Sequence, residues 1–232
     1  MKLIVTGATG FVGTEVLRQA LRNPEFTEVI ALARKHVDPP QDSGDDTGKL
    51  RSVVLEDWTA PYPESVKEVI RDADACIWTL AVTPSASRNM GVEEVSRVCH
   101  EFTIQGLRHM AECARRPFRF VYTSGVTIER DQSKELAFLM EYRRMRGRTE
   151  TQILDFAKEN AGVEVTITKP AAIGGPGREG VNEAMRPVFA AFGDAPEVHV
   201  EVLASVMLGV CEKGCERDTL WPRELVGGVG GL

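Results

Sequence analysis

The sequence predicts an α/β fold, a doubly wound parallel sheet with a small C-terminal cap. Three observations predict it. Short apolar runs rich in branched residues recur along the chain, separated by longer stretches with helical spacing, so strands and helices alternate. The first run, Lys2 to Val5, passes at once into Thr6-Gly7-Ala8-Thr9-Gly10-Phe11-Val12-Gly13, which opens an amphipathic helix carrying Val16, Leu17, Ala20 and Leu21. The 232 residues suffice for one domain with a sizeable core.

The elements follow in order. Glu28 to Ala33 (EVIALA) reads as a second strand. The polar loop Asp38 to Lys49 holds two prolines, two glycines and four aspartates, and is expected to be exposed and mobile. Arg51 to Leu55 reads as a third strand, Glu64 to Arg71 as a short helix and Ala75 to Leu80 as a fourth strand. Val92 to Arg115 has the strongest helical pattern, with Val95, Val98, Cys99, Phe102, Gly106, Met110 and Cys113 recurring at spacings of three and four. That stripe is most simply core, and part of it is available to a homodimer face. Arg119 to Thr123 reads as a fifth strand. Lys134 to Asn160 is expected to be helical for most of its length, and Glu164 to Thr168 is a sixth strand. Glu197 to Val200, a helix from Val202 to Lys213 and a frayed glycine-rich tail complete the chain. Residues 1–232 are expected to form a single dinucleotide-binding domain, with 174–200 and 214–232 as substrate-side cap and tail.

The glycines have a physical reading. Gly7 permits a tight turn, Gly10 lets the backbone approach a pyrophosphate, and Gly13 lets the helix pack against the strand. The helix N-terminus then offers free N–H groups and a positive dipole end to phosphates, with Thr9, Phe11 and Val12 around them. The end of the second strand chooses the cofactor. An acidic residue there would bond a ribose 2′-hydroxyl and repel a 2′-phosphate. Here it is Arg34, followed by Lys35, and two fixed cations predict NADP(H). Asp57, after the third strand, either accepts from an adenine amino group, with Trp58 beside it, or caps its own loop. Leu80, Ala81 and Val82 leave the fourth strand where they would flank the middle of the cofactor.

Composition narrows the rest. The net charge is −6, with a pI of about 5.4, so neither nucleic acid nor an anionic membrane is indicated. The five cysteines lack metal-ligand spacing, and Cys211 and Cys215 read as thiols on one helix; no metal is expected. A reducing, cytoplasmic setting fits. No signal peptide and no membrane-spanning run are expected. The region after the sixth strand is short, with few aromatics beyond Phe189, Phe192 and Trp221, and so small a cap fits a small or flat organic substrate better than a sugar nucleotide; it holds no clear diphosphate clamp, though Arg178 and Arg186 leave that open.

The motifs TGATGFVG, Asp57 after strand three, Ser124 in VYTSG, Tyr142 with a basic residue four later, and Lys169-Pro170-Ala171-Ala172-Ile173 together resemble the short-chain dehydrogenase/reductase superfamily. The likeness is to its extended and atypical branch, the epimerase-like NAD(P)-binding proteins of Rossmann fold. It spans about residues 1–175 and 197–210, where VHVEVLA resembles a late strand-to-helix junction. The resemblance implies that Ser124 bonds the substrate oxygen and that Tyr142 is the general acid or base. It implies that the basic partner lowers the tyrosine pKa and holds the nicotinamide ribose, while Pro170 and Ile173 line the nicotinamide pocket. Tyr142 and Arg146 are four apart and so share a helix face, and a fixed cation there favours tyrosinate. The family's lysine is Arg146 here, which keeps the charge but cannot relay a proton.

Three functions follow from this pattern. The first is an NADP(H)-dependent reductase of a small organic carbonyl compound. The second is a redox-neutral epimerase, isomerase or cyclase on the same scaffold. The third is a non-catalytic NADP(H)-sensing protein.

Overall fold

The computed structural model describes residues 1–178, 192, 195–214 and 216–228. Among these, seven parallel strands form one sheet in the order β3-β2-β1-β4-β5-β6-β9. They are β1 (Lys2–Thr6), β2 (Glu28–Ala33), β3 (Leu50–Val54), β4 (Ala75–Trp78), β5 (Phe118–Thr123), β6 (Val163–Thr168) and β9 (Thr219–Leu220). A small second sheet pairs β7 (Ile173–Gly174) with β8 (Val198–His199). The order reverses between β1 and β4, and such a switch point opens a crevice at the carboxyl ends of the strands.

Alternation along each strand divides the core into two layers. Leu3, Val5, Ala31 and Ile77 face α1 (Phe11–Arg22), α7 (Val200–Lys213) and α8 (Pro222–Val226). Ile4, Ile30, Trp78 and Phe120 face α2 (Glu64–Ile70), α5 (Phe102–Cys113) and α6 (Met140–Glu159). Trp78 fills the second layer so fully that a side chain on Gly106 would collide with its ring. No helix among the described residues is long and apolar enough to cross a membrane.

Three expectations are corrected, for the long helix, for the start of α6 and for the tail. The long helix is not continuous α-helix. It runs as α4 (Val92–Ser96), a π-helical turn (Arg97–Glu101) and then α5. The extra residue in that turn re-aims its side chains. Cys99 meets the backbone of Val82, and His100 Nδ1 lies 2.9 Å from Thr149 Oγ1 on α6. The helix expected from Lys134 starts only at Met140, because Asp131 ties Ser133 into a turn and Leu139 adopts a left-handed backbone, φ +46°. The Asp38 to Lys49 loop is largely exposed, as expected, with local anchors: Ser43 is buried and bonds the Pro40 carbonyl, the Val37 N–H reaches Ser52 Oγ, and Thr47–Lys49 forms a 3-10 turn. The tail does not fray before residue 228. It adds β9 to the sheet and then α8, started by Pro222 and by the Trp221 N–H donating to Glu224. A short helix, α3 (Pro84–Ser87), also precedes α4. Cys215, Arg186 and Phe189 lie outside the described residues, as do most of the expected cap and the last four residues of the tail.

Candidate active site

The crevice begins at the turn between β1 and α1. Gly7 has φ +68°, where a side chain is strained, and a Cβ on Gly13 would collide with the Gly7 carbonyl. The Gly10 N–H bonds the Gly7 carbonyl at 2.9 Å, and the Thr14 N–H bonds Gly10 at 2.9 Å. Gly10 caps α1 with no side chain, so the helix meets the crevice with its first N–H groups bare. Phe11 lies beneath the Arg178 guanidinium, 4.3 Å from its ring, and Val12 packs on the first core layer. This cradle fits a dinucleotide pyrophosphate: backbone donors face outward with no side-chain acceptor competing for them.

A cavity of about 460 Å³ continues from the cradle, lined by Gly7, Thr9, Arg34, Lys35, Trp58 and Leu80 among others. Arg34 and Lys35 are exposed there, and neither has an ion-pair partner among the described residues, whereas His36 pairs with Asp38 at 3.3 Å. Asp57 acts as a loop cap. One of its carboxyl oxygens accepts from the Thr59 N–H at 2.8 Å, the Thr59 hydroxyl at 2.7 Å and the Ala60 N–H at 3.3 Å. The Thr59 bonds hold its carboxyl below the usual range. Trp58 is first a core residue, set edge-on to Trp78 with centroids 5.6 Å apart, and only its margin reaches the cavity. Ala81 and Val82 pack against Cys99, Met145 and their neighbours, and the Val82 carbonyl accepts the Tyr142 hydroxyl at 2.9 Å.

Ser124, Tyr142, Arg146, Pro170 and Ile173 come from three separate segments and line one cavity of about 170 Å³. Ser124 ends β5, where its N–H joins the Thr168 carbonyl at 2.8 Å. Tyr142 and Arg146 stand one turn apart on α6. Pro170 and Ile173 follow β6. Arg146 is buried, donates to the Thr123 carbonyl at 2.7 Å and lies 5.1 Å from the centre of the Tyr122 ring. Burial pushes the Tyr142 phenol above its ordinary pKa, and the opposing pull of Arg146 does not cancel it. Arg146 does pull this pKa down, as expected, but desolvation is the larger effect and the net shift is upward.

One turn beyond Arg146 lies a residue that sequence reasoning missed. Glu150 is fully buried and accepts from the Ser124 hydroxyl, from Arg130 Nε at 2.7 Å and from Lys169 Nζ at 3.0 Å on both oxygens. Lys169 also donates to the Ile128 carbonyl at 2.9 Å, and burial lowers its pKa against the pull of Glu150. An ionised carboxylate only accepts, so the Ser124 proton is committed to Glu150 and its lone pairs remain for the cavity. The spacing Tyr142, Arg146, Glu150 carried the signal, three residues each four apart on one face. Arg143 was missed as well; it lines the cavity, bonds the Thr127 carbonyl at 2.6 Å and lies over the Phe138 ring at 4.5 Å.

A glycine turn feeding a bare helix end at the switch point of a parallel sheet, with a serine, a tyrosine and a cation gathered alongside, defines an NAD(P)-binding α/β protein. The chain belongs to the NAD dependent epimerase/dehydratase family, whose family model matches residues 3–207. This agrees with the short-chain dehydrogenase/reductase likeness of the motifs. A curated relative, the chloroplastic divinyl chlorophyllide a 8-vinyl-reductase of Cucumis sativus, is 24% identical over 174 residues. The match covers 73% of this chain but only 38% of that protein. The fold is shared with Gre2 from Candida albicans, solved in complex with NADPH, at TM-score 0.65 and 17% identity over 95% of this chain and 77% of that one. It is also shared with UDP-glucose 4-epimerase from Thermotoga maritima, solved with UDP-glucose, at TM-score 0.66 and 16% identity over 92% and 74%.

Proposed function

We propose that the chain is an NADP(H)-dependent reductase of a small organic carbonyl compound. The observation that carries this is geometric: the Tyr142 phenol shares one cavity with Ser124 and the fixed cation Arg146. A phenol holds its proton at neutral pH, and a cation beside it stabilises the phenolate left when that proton goes to a developing alkoxide. Bound NADPH supplies the hydride. Gly7, Gly10 and Gly13 would seat its pyrophosphate, and Arg34 and Lys35 its 2′-phosphate. Tyr142 exchanges the Val82 carbonyl for the substrate oxygen and donates its proton there. Arg146 stabilises the phenolate left behind. Ser124, turned into an acceptor by Glu150, orients a donor group on the substrate. The NADPH named in the Gre2 structure and the reductase activity in the cucumber protein's name support this reading. The free thiols Cys76, Cys99, Cys113 and Cys211 suit a reducing, cytoplasmic setting.

The test is NADPH oxidation by the full chain across a panel of aldehydes and ketones. Tyr142→Phe is expected to lose about 10²- to 10⁴-fold in rate while still binding NADPH. The wild-type rate should stay level through neutral pH and past about pH 10, because burial holds the phenol protonated beyond its ordinary range, and should fall only where the fold itself fails. Turnover indifferent to Tyr142→Phe would overturn the assignment. A second reading, a redox-neutral isomerase, is favoured by the arginine at position 146, which keeps the charge of the family's lysine but cannot relay a proton. Substrate conversion without net loss of NADPH would select it.

A further inference from the structure

A third cavity, of about 320 Å³, lies along α4 and the start of α6, and the chemistry above assigns it no ligand. Its volume falls within the range of small-molecule sites, about 300–1,000 Å³. Leu139 and Tyr142 line both this cavity and the one holding Ser124, so the two adjoin. Buried Val95 and Met145 contribute to its lining, as do Val92, which is 71% exposed, and Met140, which is 40% exposed. Large apolar side chains left to water around a concavity mark a surface that something covers. Leu139, between the two cavities, holds the left-handed backbone noted above. A residue with a side chain adopts that conformation at a cost, and such strain collects at ligand-binding segments.

Charge indicates what covers the groove. Arg88 and Arg148 line it, both exposed, and neither has an ion pair among the described residues. Glu141 lines it too, leaving a net single positive charge. We propose that this groove binds an amphipathic carboxylate. Its apolar body lies against Val92, Val95, Met140 and Met145, its carboxylate sits between Arg88 and Arg148, and its reducible end reaches Tyr142. Only the last clause rests on the reductase reading; the binding itself does not.

Octanoate and 1-octanol serve as probes, titrated calorimetrically into the full chain with and without NADPH. Octanoate is expected to bind at least tenfold more tightly than 1-octanol. The double variant Arg88→Gln/Arg148→Gln should erase that difference and leave 1-octanol unchanged, and Met140→Asp should weaken both. Both arginines are exposed, so the double variant is expected to melt with the wild type. Equal binding of the two probes overturns the proposal, and so does a preference that survives in the double variant. Failure of both probes to bind overturns it as well; if the chain then sediments as a dimer that Met140→Asp splits, the groove belongs to a second copy. The reductase reading is judged separately. Octanoate binding without Tyr142-dependent NADPH oxidation keeps the groove and removes the reductase. The reverse result keeps the reductase alone.

Discussion

In the proposed reading, cofactor choice turns on Arg34 and Lys35. They stand exposed at the rim of the crevice without carboxylate partners among the described residues. A charged hydrogen bond to a 2′-phosphate contributes about 1.5–3 kcal/mol, or roughly 10- to 100-fold in affinity. Arg34→Glu replaces that attraction with repulsion and supplies the acceptor that a 2′-hydroxyl needs. Calorimetric titration should show NADPH affinity falling by at least that factor while NADH affinity holds or rises. Equal loss of both would remove the NADP(H) assignment. Asp57 shows the opposite case. Its oxygen already accepts from Thr59 and Ala60, so it holds its own loop. A sequence contains the acid but not which donors reach it first.

At the scale of the element, α6 gathers the site. Tyr142, Arg146 and Glu150 rise along one face, and Gly147 lets the helix lie against the Glu129 carbonyl, where a Cβ would collide. Glu150 ties α6 to the end of β5 through Ser124, to the loop between β5 and α6 through Arg130 and to the end of β6 through Lys169. Removing one partner of a buried ion pair costs about 3–5 kcal/mol, because the other charge is left buried and unmatched. Glu150→Ala is therefore expected to lower stability by about that much in urea unfolding, and to release the Ser124 hydroxyl from its acceptor. A loss within experimental error would mean that water replaces the carboxylate. The shared helix face of Tyr142 and Arg146 was legible from their i,i+4 spacing, their company with Ser124 only through the family resemblance, and the glycine turn from strand before and helix after. Glu150 was half legible: its spacing stood in the sequence, but Lys169 and Arg130 reach it only through tertiary folding. The π-helical turn and the two-residue strand β9 were not legible. One extra residue inside a sustained apolar stripe leaves its periodicity nearly intact, and two residues are too few for any period.

At the scale of the whole molecule, the phenols are witnesses to the integrity of the core. The chain has three tyrosines, and all three sit where burial raises the phenol pKa: Tyr62 on the α2 and α5 side, Tyr122 on β5 and Tyr142 at the candidate site. In the unfolded chain each ionises near pH 10, whereas in the folded chain each keeps its proton to higher pH. Above pH 10 the unfolded state therefore binds fewer protons than the folded one, and stability falls as pH rises. The contribution is complete below the unfolded pKa and is lost upward from there, at about 1.4 kcal/mol per pH unit for each phenol, or about 4 kcal/mol for three. Buried Cys76 and Cys211, whose thiols are likewise pushed up, add to the slope. Against a typical stability of about 5–15 kcal/mol, the fold should fail within about one to four pH units above 10. Tyrosinate absorbance and far-ultraviolet dichroism, recorded together during an alkaline titration, should change in one transition. A tyrosine that ionises first while the dichroism holds would be Tyr142 opening to water. In that case reductase activity would decline before the fold does, and the phenol would not be the shielded proton donor that the proposed chemistry needs.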